Sequence, residues 1–189
     1  MTARILKPEL LVSAISTFSA VIEPERWVQP SIWGLMMRRQ LAVDPCSSWD
    51  AALVQHCGYL SHYDHATDRS AWPIERALQA EEFGEWGRAH GLLREDAAPG
   101  DILLQYSPMF KRYDRAGVVV RVLGSGCWGR NRPYVDVLSV EGDVGTRGEL
   151  HGGEVMRVKR RLWPRSKDKL VRWWEADSSA RGQSPAEGA

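Results

Sequence analysis

At 189 residues the chain has room for one domain with extensions, or at most two small ones, and can bury a core without covalent staples. Its 43% hydrophobic and 26% charged residues are those of an ordinary globular protein. A net charge of +1 supplies no bulk field to draw nucleic acid or a membrane surface, so neither is an expected partner.

The opening stretch, Met1 to Ala20, lacks a signal peptide's order of charge, apolar run and cleavage box, and no later stretch approaches the length of a membrane span. The expected location is the cytoplasm or a phage assembly. Pro8 to Ile22 carries Leu11, Ala14, Ile15, Phe18, Val21 and Ile22 at helical spacing, with Pro8 suited to the first turn. A second helix is predicted from Ser31 to Leu41, so that residues 1–43 form a helical extension. Asp44 to Ser48 is a turn and cap cluster leading into a helix over Trp49 to Leu60. Ser61 to Ser70 reads as loop, and Trp72 to His90 as a further helix.

After Pro99-Gly100-Asp101 the period changes to that of strands: Ile102 to Tyr106, the β-branched run Gly117 to Leu123, Tyr134 to Val140, and Gly153 to Arg160. Helices first and antiparallel strands second make the chain α+β, with N-terminal helices on a small antiparallel sheet or half-barrel. A main domain is expected over 44–163, a C-terminal helix over 164–177 and a disordered tail over 178–189.

The three cysteines, Cys46, Cys57 and Cys127, have neither disulfide-framework nor zinc-ligand spacing, and no metal or cofactor is expected. Cys57 falls inside a helix, where a free cysteine is a small buried hydrophobe. The basic run through Arg157, Lys159, Arg160 and Arg161 reads as solvated charge on an exposed strand, although the sequence does not say which of them share a face.

The order of these pieces resembles the papain-like cell-wall amidases and peptidases of the NlpC and CHAP type. Trp49-Asp50-Ala51-Ala52-Leu53-Val54-Gln55 matches the family's nucleophile helix, and Pro99-Gly100-Asp101-Ile102 its turn into a strand. Asp114-Arg115-Ala116-Gly117-Val118-Val119-Val120 falls where the family has its histidine strand. Glu141-Gly142-Asp143 and Gly152 to Arg160 match the two strands that follow. The resemblance implies a thiolate at a helix N-terminus, a histidine on the facing strand and a polar residue to orient it. Here the nucleophile position holds Asp50 and the histidine position Arg115; the third position is occupied by Glu141 or Asp143.

The expectation is therefore an inactive, vestigial site in which Asp50 and Arg115 form an ion pair. Arginine binds a carboxylate and does not lose its proton, so the charge complement of the catalytic pair is kept without its chemistry. Such a domain would be a binding or structural module, holding a peptide or glycan fragment near Trp49 and Trp128. Trp173 and Trp174, within Lys169 to Trp174, could dock a protein partner or pack back on their own domain. The alternative is an active cysteine amidase using Cys46, with His62 or His65 brought in from a loop. A third reading makes Asp50 one of two carboxylates in a glycosidase-like site.

Overall fold

A computed structural model describes residues 6–21, 49–67, 69–128, 132–144, 154–163 and 166–176. The helix expected over Ser31 to Leu41, the residues Cys46 and His151, and the tail over 178–189 lie outside the described residues.

Among the described residues, three helices pack on one face of a sheet. α1 (Pro8–Val21) buries Leu11 and Ile15, one turn apart, against the common core. α2 (Asp50–Ser61) is buried on nearly all sides, with Asp50 to Gln55, Cys57 and Gly58 all inaccessible. It is the central helix, and Gly58 lets the Trp72 ring lie against its backbone, where a Cβ would come within 2.5 Å of the indole. α3 (Ala80–Ala89) begins later than the predicted Trp72. The Glu82 carboxylate accepts the Gln79 N–H at 2.9 Å, a capping box that fixes the first turn, while Trp72 is held in the core by packing instead.

The stretch expected to be loop contains a short hairpin, β1 (Tyr63–Asp64) with β2 (Arg69–Ser70). The main sheet is antiparallel and six-stranded: β3 (Leu93–Arg94), β4 (Ile102–Ser107), β5 (Arg112–Trp128), β6 (Arg132–Val144), β7 (Glu154–Leu162) and β8 (Lys169–Val171), in the order β3-β8-β4-β5-β6-β7. The α+β class holds, with the helices on a curled antiparallel half-barrel. The helical face carries Ile102, Leu104, Ala116, Val118 and Val140. The opposite face has its own smaller cluster of Leu103, Val119, Val137, Leu162 and Leu170. β5 and β6 run well past the predicted strand ends, and register shifts between Val119 and Arg121 and between Val122 and Gly124 bend the ribbon as it extends.

The C-terminal helix expected over 164–177 is not formed by the described residues. Lys169 to Val171 is instead a strand inserted between β3 and β4, followed by a single 3-10 turn at Trp173–Glu175. Leu170 joins the cluster on one face of the sheet and Val171 the cluster on the other, which is the period of a strand. Trp173 is wholly buried: its indole N–H donates to the Gly100 carbonyl at 3.0 Å, and its ring lies 4.5 Å from that of Trp72. Trp174 is half-buried against the same core. The tryptophan pair therefore packs on its own domain and does not present a partner-binding helix.

The Pro99-Gly100-Asp101 turn explains its own residues. Gly100 has φ +94°, a left-handed conformation suited to glycine, and its carbonyl receives Trp173. Asp101 accepts the Ala98 N–H at 2.6 Å and both arms of the Arg172 guanidinium at 3.2 Å. Burial raises its carboxyl above the ordinary aspartate value, against the pull of Arg172.

Candidate functional site: a buried charge cluster at the mouth of the central helix

Asp50 is the first residue of α2, where a carboxylate meets the positive end of the helix dipole. Arg115 reaches it from β5, opposite Gln105 of β4, and is faced in turn by Glu141 of β6, opposite Gly117 of β5. Both neighbouring glycines have a packing role. A Cβ on Gly117 would lie 2.6 Å from the Glu141 Cγ, and one on Gly142 would lie 2.8 Å from the Trp49 ring. The backbone is bare at the two points where Glu141 and Trp49 cross it.

Arg115 Nε lies 3.7 Å from Asp50 Oδ2, and its Nη2 lies 3.8 Å from Glu141 Oε2. Its one direct hydrogen bond in this cluster runs from Nη2 to the Gly142 carbonyl, at 3.5 Å. Asp50 and Arg115 thus face each other at ion-pair distance, beyond hydrogen-bonding length. Glu141 is more tightly bound. Arg160 of β7 holds it as a fork, Nε to Oε1 at 2.9 Å and Nη2 to Oε2 at 2.7 Å. Ser139 Oγ donates to Oε1 at 2.6 Å and Gln105 Nε2 to Oε2 at 3.0 Å.

Two carboxylates and two guanidiniums alternate in sign: side-chain exposure is 1% for Asp50, 7% for Arg115 and 0% for Glu141, while Arg160 keeps 27% at the outer end. Burial would raise the Glu141 carboxyl, but the Arg160 fork, the Ser139 hydrogen bond and the Arg115 charge together hold it below the ordinary glutamate value. It is an ionised acceptor with its lone pairs in use, unsuited to orient an imidazole. A guanidinium in place of the imidazole cannot take a proton from a nucleophile.

The remaining candidates separate from this cluster. Asp143 lies in β6, its side chain outside the described set. His62, the alternative base, follows Asp50 by the whole 12-residue helix, about 18 Å along the axis. It is buried there, with Nδ1 3.0 Å from the Gly58 carbonyl and its ring 5.0 Å from Trp173. His65 sits in the β1–β2 turn, edge-on to Tyr63. Cys57 is fully buried, which pushes its thiol up to about 12 and makes it inert.

Trp49 and Trp128 do not line one cleft. Trp49 is 1% exposed and packs beside Gly142, whereas Trp128 is 62% exposed and pairs with Arg132 at the far end of β6. From Gly142 to Arg132 is about 33 Å along β6. The separation excludes a shared peptide or glycan site built from both.

Arg160, Ser139 and Gln105 were not among the expected site residues. A cue for Arg160 exists: Met156, Val158 and Leu162 share its side of an alternating strand, so an arginine there points where a partner must be found. Comparison with known proteins adds no further guide: no family model, no curated protein and no solved structure matches the chain.

Proposed function

We propose that the chain is a catalytically inactive relative of the NlpC and CHAP-type amidases and peptidases that serves as a structural or binding module, in a phage or bacterial assembly. The reading is carried by one observation: the positions that the resemblance assigns to nucleophile and base hold Asp50 and Arg115, face to face with both side chains buried. A reactive site needs an accessible nucleophile and a group that exchanges a proton near neutral pH, and neither property belongs to this pair. The buried Asp50–Arg115 pair and the buried Trp49 favour a structural role for this end of the domain over peptide capture in an open cleft.

The test is an assay of the purified full chain on peptidoglycan, on short cell-wall-type peptides and on activated acyl esters, beside a thiol-directed affinity reagent. The expected result is no turnover by protein whose folding is verified by circular dichroism. Turnover abolished by Cys46→Ala would overturn the proposal in favour of the active amidase. Turnover abolished by Asp50→Asn but not by Cys46→Ala would point to the carboxylate-based hydrolase.

A further inference from the structure

β4 and β5 are joined by a tight turn, Ser107-Pro108-Met109-Phe110-Lys111-Arg112, closed by the Ser107–Arg112 pair. The turn is fixed from within: the Lys111 N–H donates to the Ser107 carbonyl at 2.8 Å, and the Phe110 N–H to Ser107 Oγ at 3.3 Å. Lys111 has φ +55°, a left-handed conformation that favours glycine, so a charge stands at the apex at some cost in backbone energy. Turns ordinarily carry small or polar residues. Here Met109 is 83% exposed, the most of any large hydrophobic residue among those described, and Phe110 beside it is 55% exposed. The body of the domain stops short of both. α3 meets the hairpin at the Tyr113 ring, where a Cβ on Gly84 would lie 2.6 Å away, and Tyr113 pairs with Tyr106 across the strands. Met109 stands three residues beyond Tyr106, a reach of at most about 10 Å at the rise of a strand.

Three cations surround the apex. Lys111 belongs to it, the Arg112 guanidinium lies 5.9 Å from the Phe110 ring centroid, and Lys167 crosses over to place Nζ 4.5 Å from the Tyr106 centroid. Among the described residues none of the three pairs with a carboxylate; Lys167 reaches only the Tyr106 hydroxyl, at 3.5 Å. The carboxylates of the hairpin and its neighbours are engaged lower down. Glu81 accepts the Tyr113 N–H at 2.7 Å and Asp168 the Tyr106 N–H at 2.9 Å, while Asp114 is half-buried beyond Tyr113. Elsewhere the arginines are locked: Arg160, Arg161 and Arg172 each grip a carboxylate as a fork. The cations at the apex are loose by comparison.

We propose that this apex docks the protein on an anionic bilayer surface, with Met109 and Phe110 entering the headgroup layer and Lys111, Arg112 and Lys167 facing lipid phosphates. Interfacial apolar side chains reach about 5–10 Å into a bilayer, the depth that the span from Tyr106 to Met109 allows. Long basic side chains keep their charge in water while their stems cover apolar surface, and a half-buried tyrosine suits the boundary. An acidic groove on a protein is matched by cations held in a fixed geometry, whereas loose charges match a diffuse negative layer. The attraction is local, because the whole-chain charge of +1 supplies no bulk field. No described helix is long and apolar enough to cross a membrane, and the contact proposed is peripheral and reversible. The apex and the Asp50–Arg115 cluster share no residue, so the two readings stand or fall separately.

The experiment is co-sedimentation of the full chain with sucrose-loaded vesicles of phosphatidylcholine alone or mixed equally with phosphatidylglycerol, at about 0.1 M salt. Binding is expected on the mixed vesicles and roughly a hundredfold weaker on phosphatidylcholine, from three cations worth about fivefold each. Lys111→Gln should weaken binding to the mixed vesicles about fivefold. Met109→Ser with Phe110→Ser should weaken it roughly tenfold or more, with an unchanged circular dichroism spectrum. Leu123→Ser, which removes an exposed apolar side chain of β5 outside the apex, and Lys7→Gln, which removes an exposed cation ahead of α1, should leave binding as in the parent. The proposal is overturned if the chain ignores the mixed vesicles, if phosphatidylcholine binds it equally well, or if the double serine variant binds like the parent. It is equally overturned if soluble polyglutamate competes as well as lipid, because the apex would then recognise acidic chains. Self-association in sedimentation velocity that the double variant loses, with vesicles ignored, would overturn it in favour of a second copy as the occupant.

Discussion

Replacing Arg115 tests whether the cluster at the mouth of α2 is a coupled unit. Arg115→Met keeps much of the side-chain volume and removes the charge that faces both Asp50 and Glu141. At 3.7 Å the attraction between Arg115 and Asp50 is worth about 4 kcal/mol for an effective dielectric of 20, and desolvating the guanidinium offsets part of it. Removing one partner of a buried pair costs about 3–5 kcal/mol. Asp50→Asn should cost less, about 1–3 kcal/mol, since Arg115 retains Glu141 and the Gly142 carbonyl. The double variant should fall short of the sum of the single losses by about 1–3 kcal/mol. Urea unfolding of the four proteins measures each value, provided that the transitions are two-state. Additivity within about 0.5 kcal/mol would show that Asp50 and Arg115 do not interact. A loss below about 1 kcal/mol for Arg115→Met would show that the pair behaves as if solvated; either outcome refutes the reasoning.

Other parts of the molecule make independent predictions. Trp173→Ala empties a fully buried site and strands the Gly100 carbonyl, so a loss of about 3–5 kcal/mol is expected in the same unfolding assay. Native protein should expose Cys127 to a disulfide reagent while Cys57 reacts only on denaturation, read by mass spectrometry of the labelled peptides. Burial lowers the His62 pKa, against the raising influence of the Gly58 and Lys7 carbonyls and of Glu9. Its contribution is therefore fully present above the ordinary histidine value of 6.5 and is lost as pH falls through the depressed folded value. The urea midpoint of the parent should drop across that acidic window, and a His62→Gln variant should lack that part of the slope.

What the sequence made legible follows from period. The valine-rich runs in β5 and β6 and the alternation of β7 identify strands, because each half-buried strand writes its faces into every second residue. That Asp50 and Arg115 meet at the mouth of α2 was legible from the register that the family resemblance supplied. Burial was not legible. Trp49 reads the same whether it lines a groove or packs on Gly142, and that difference depends on a strand more than 90 positions away. Arg160 is hidden for a related reason, since its neighbours Lys159 and Arg161 make it look like solvated charge. Lys169-Leu170-Val171 is too short to separate a period of 2 from one of 3.6, and the aromatic pair after it suggested a helix that does not form.

The insertion of β8 has a consequence for the order in which the fold is assembled. β4 through β7 join neighbours along the chain, so each pairing closes a short loop. β8 instead meets β4 by bringing Val171 to Ile102, 69 positions earlier, and it is the strand through which β3 joins the sheet. Closing so long a loop costs more entropy before any contact is gained. The meander can therefore zip first, with its β4 edge open until the late segment arrives. Docking of Leu170, Val171 and Trp173 then completes both cores in one step. The slow phase of folding should accordingly report on the far end of the sheet from Asp50, and changes in β8 should alter folding rates more than changes in the charge cluster do.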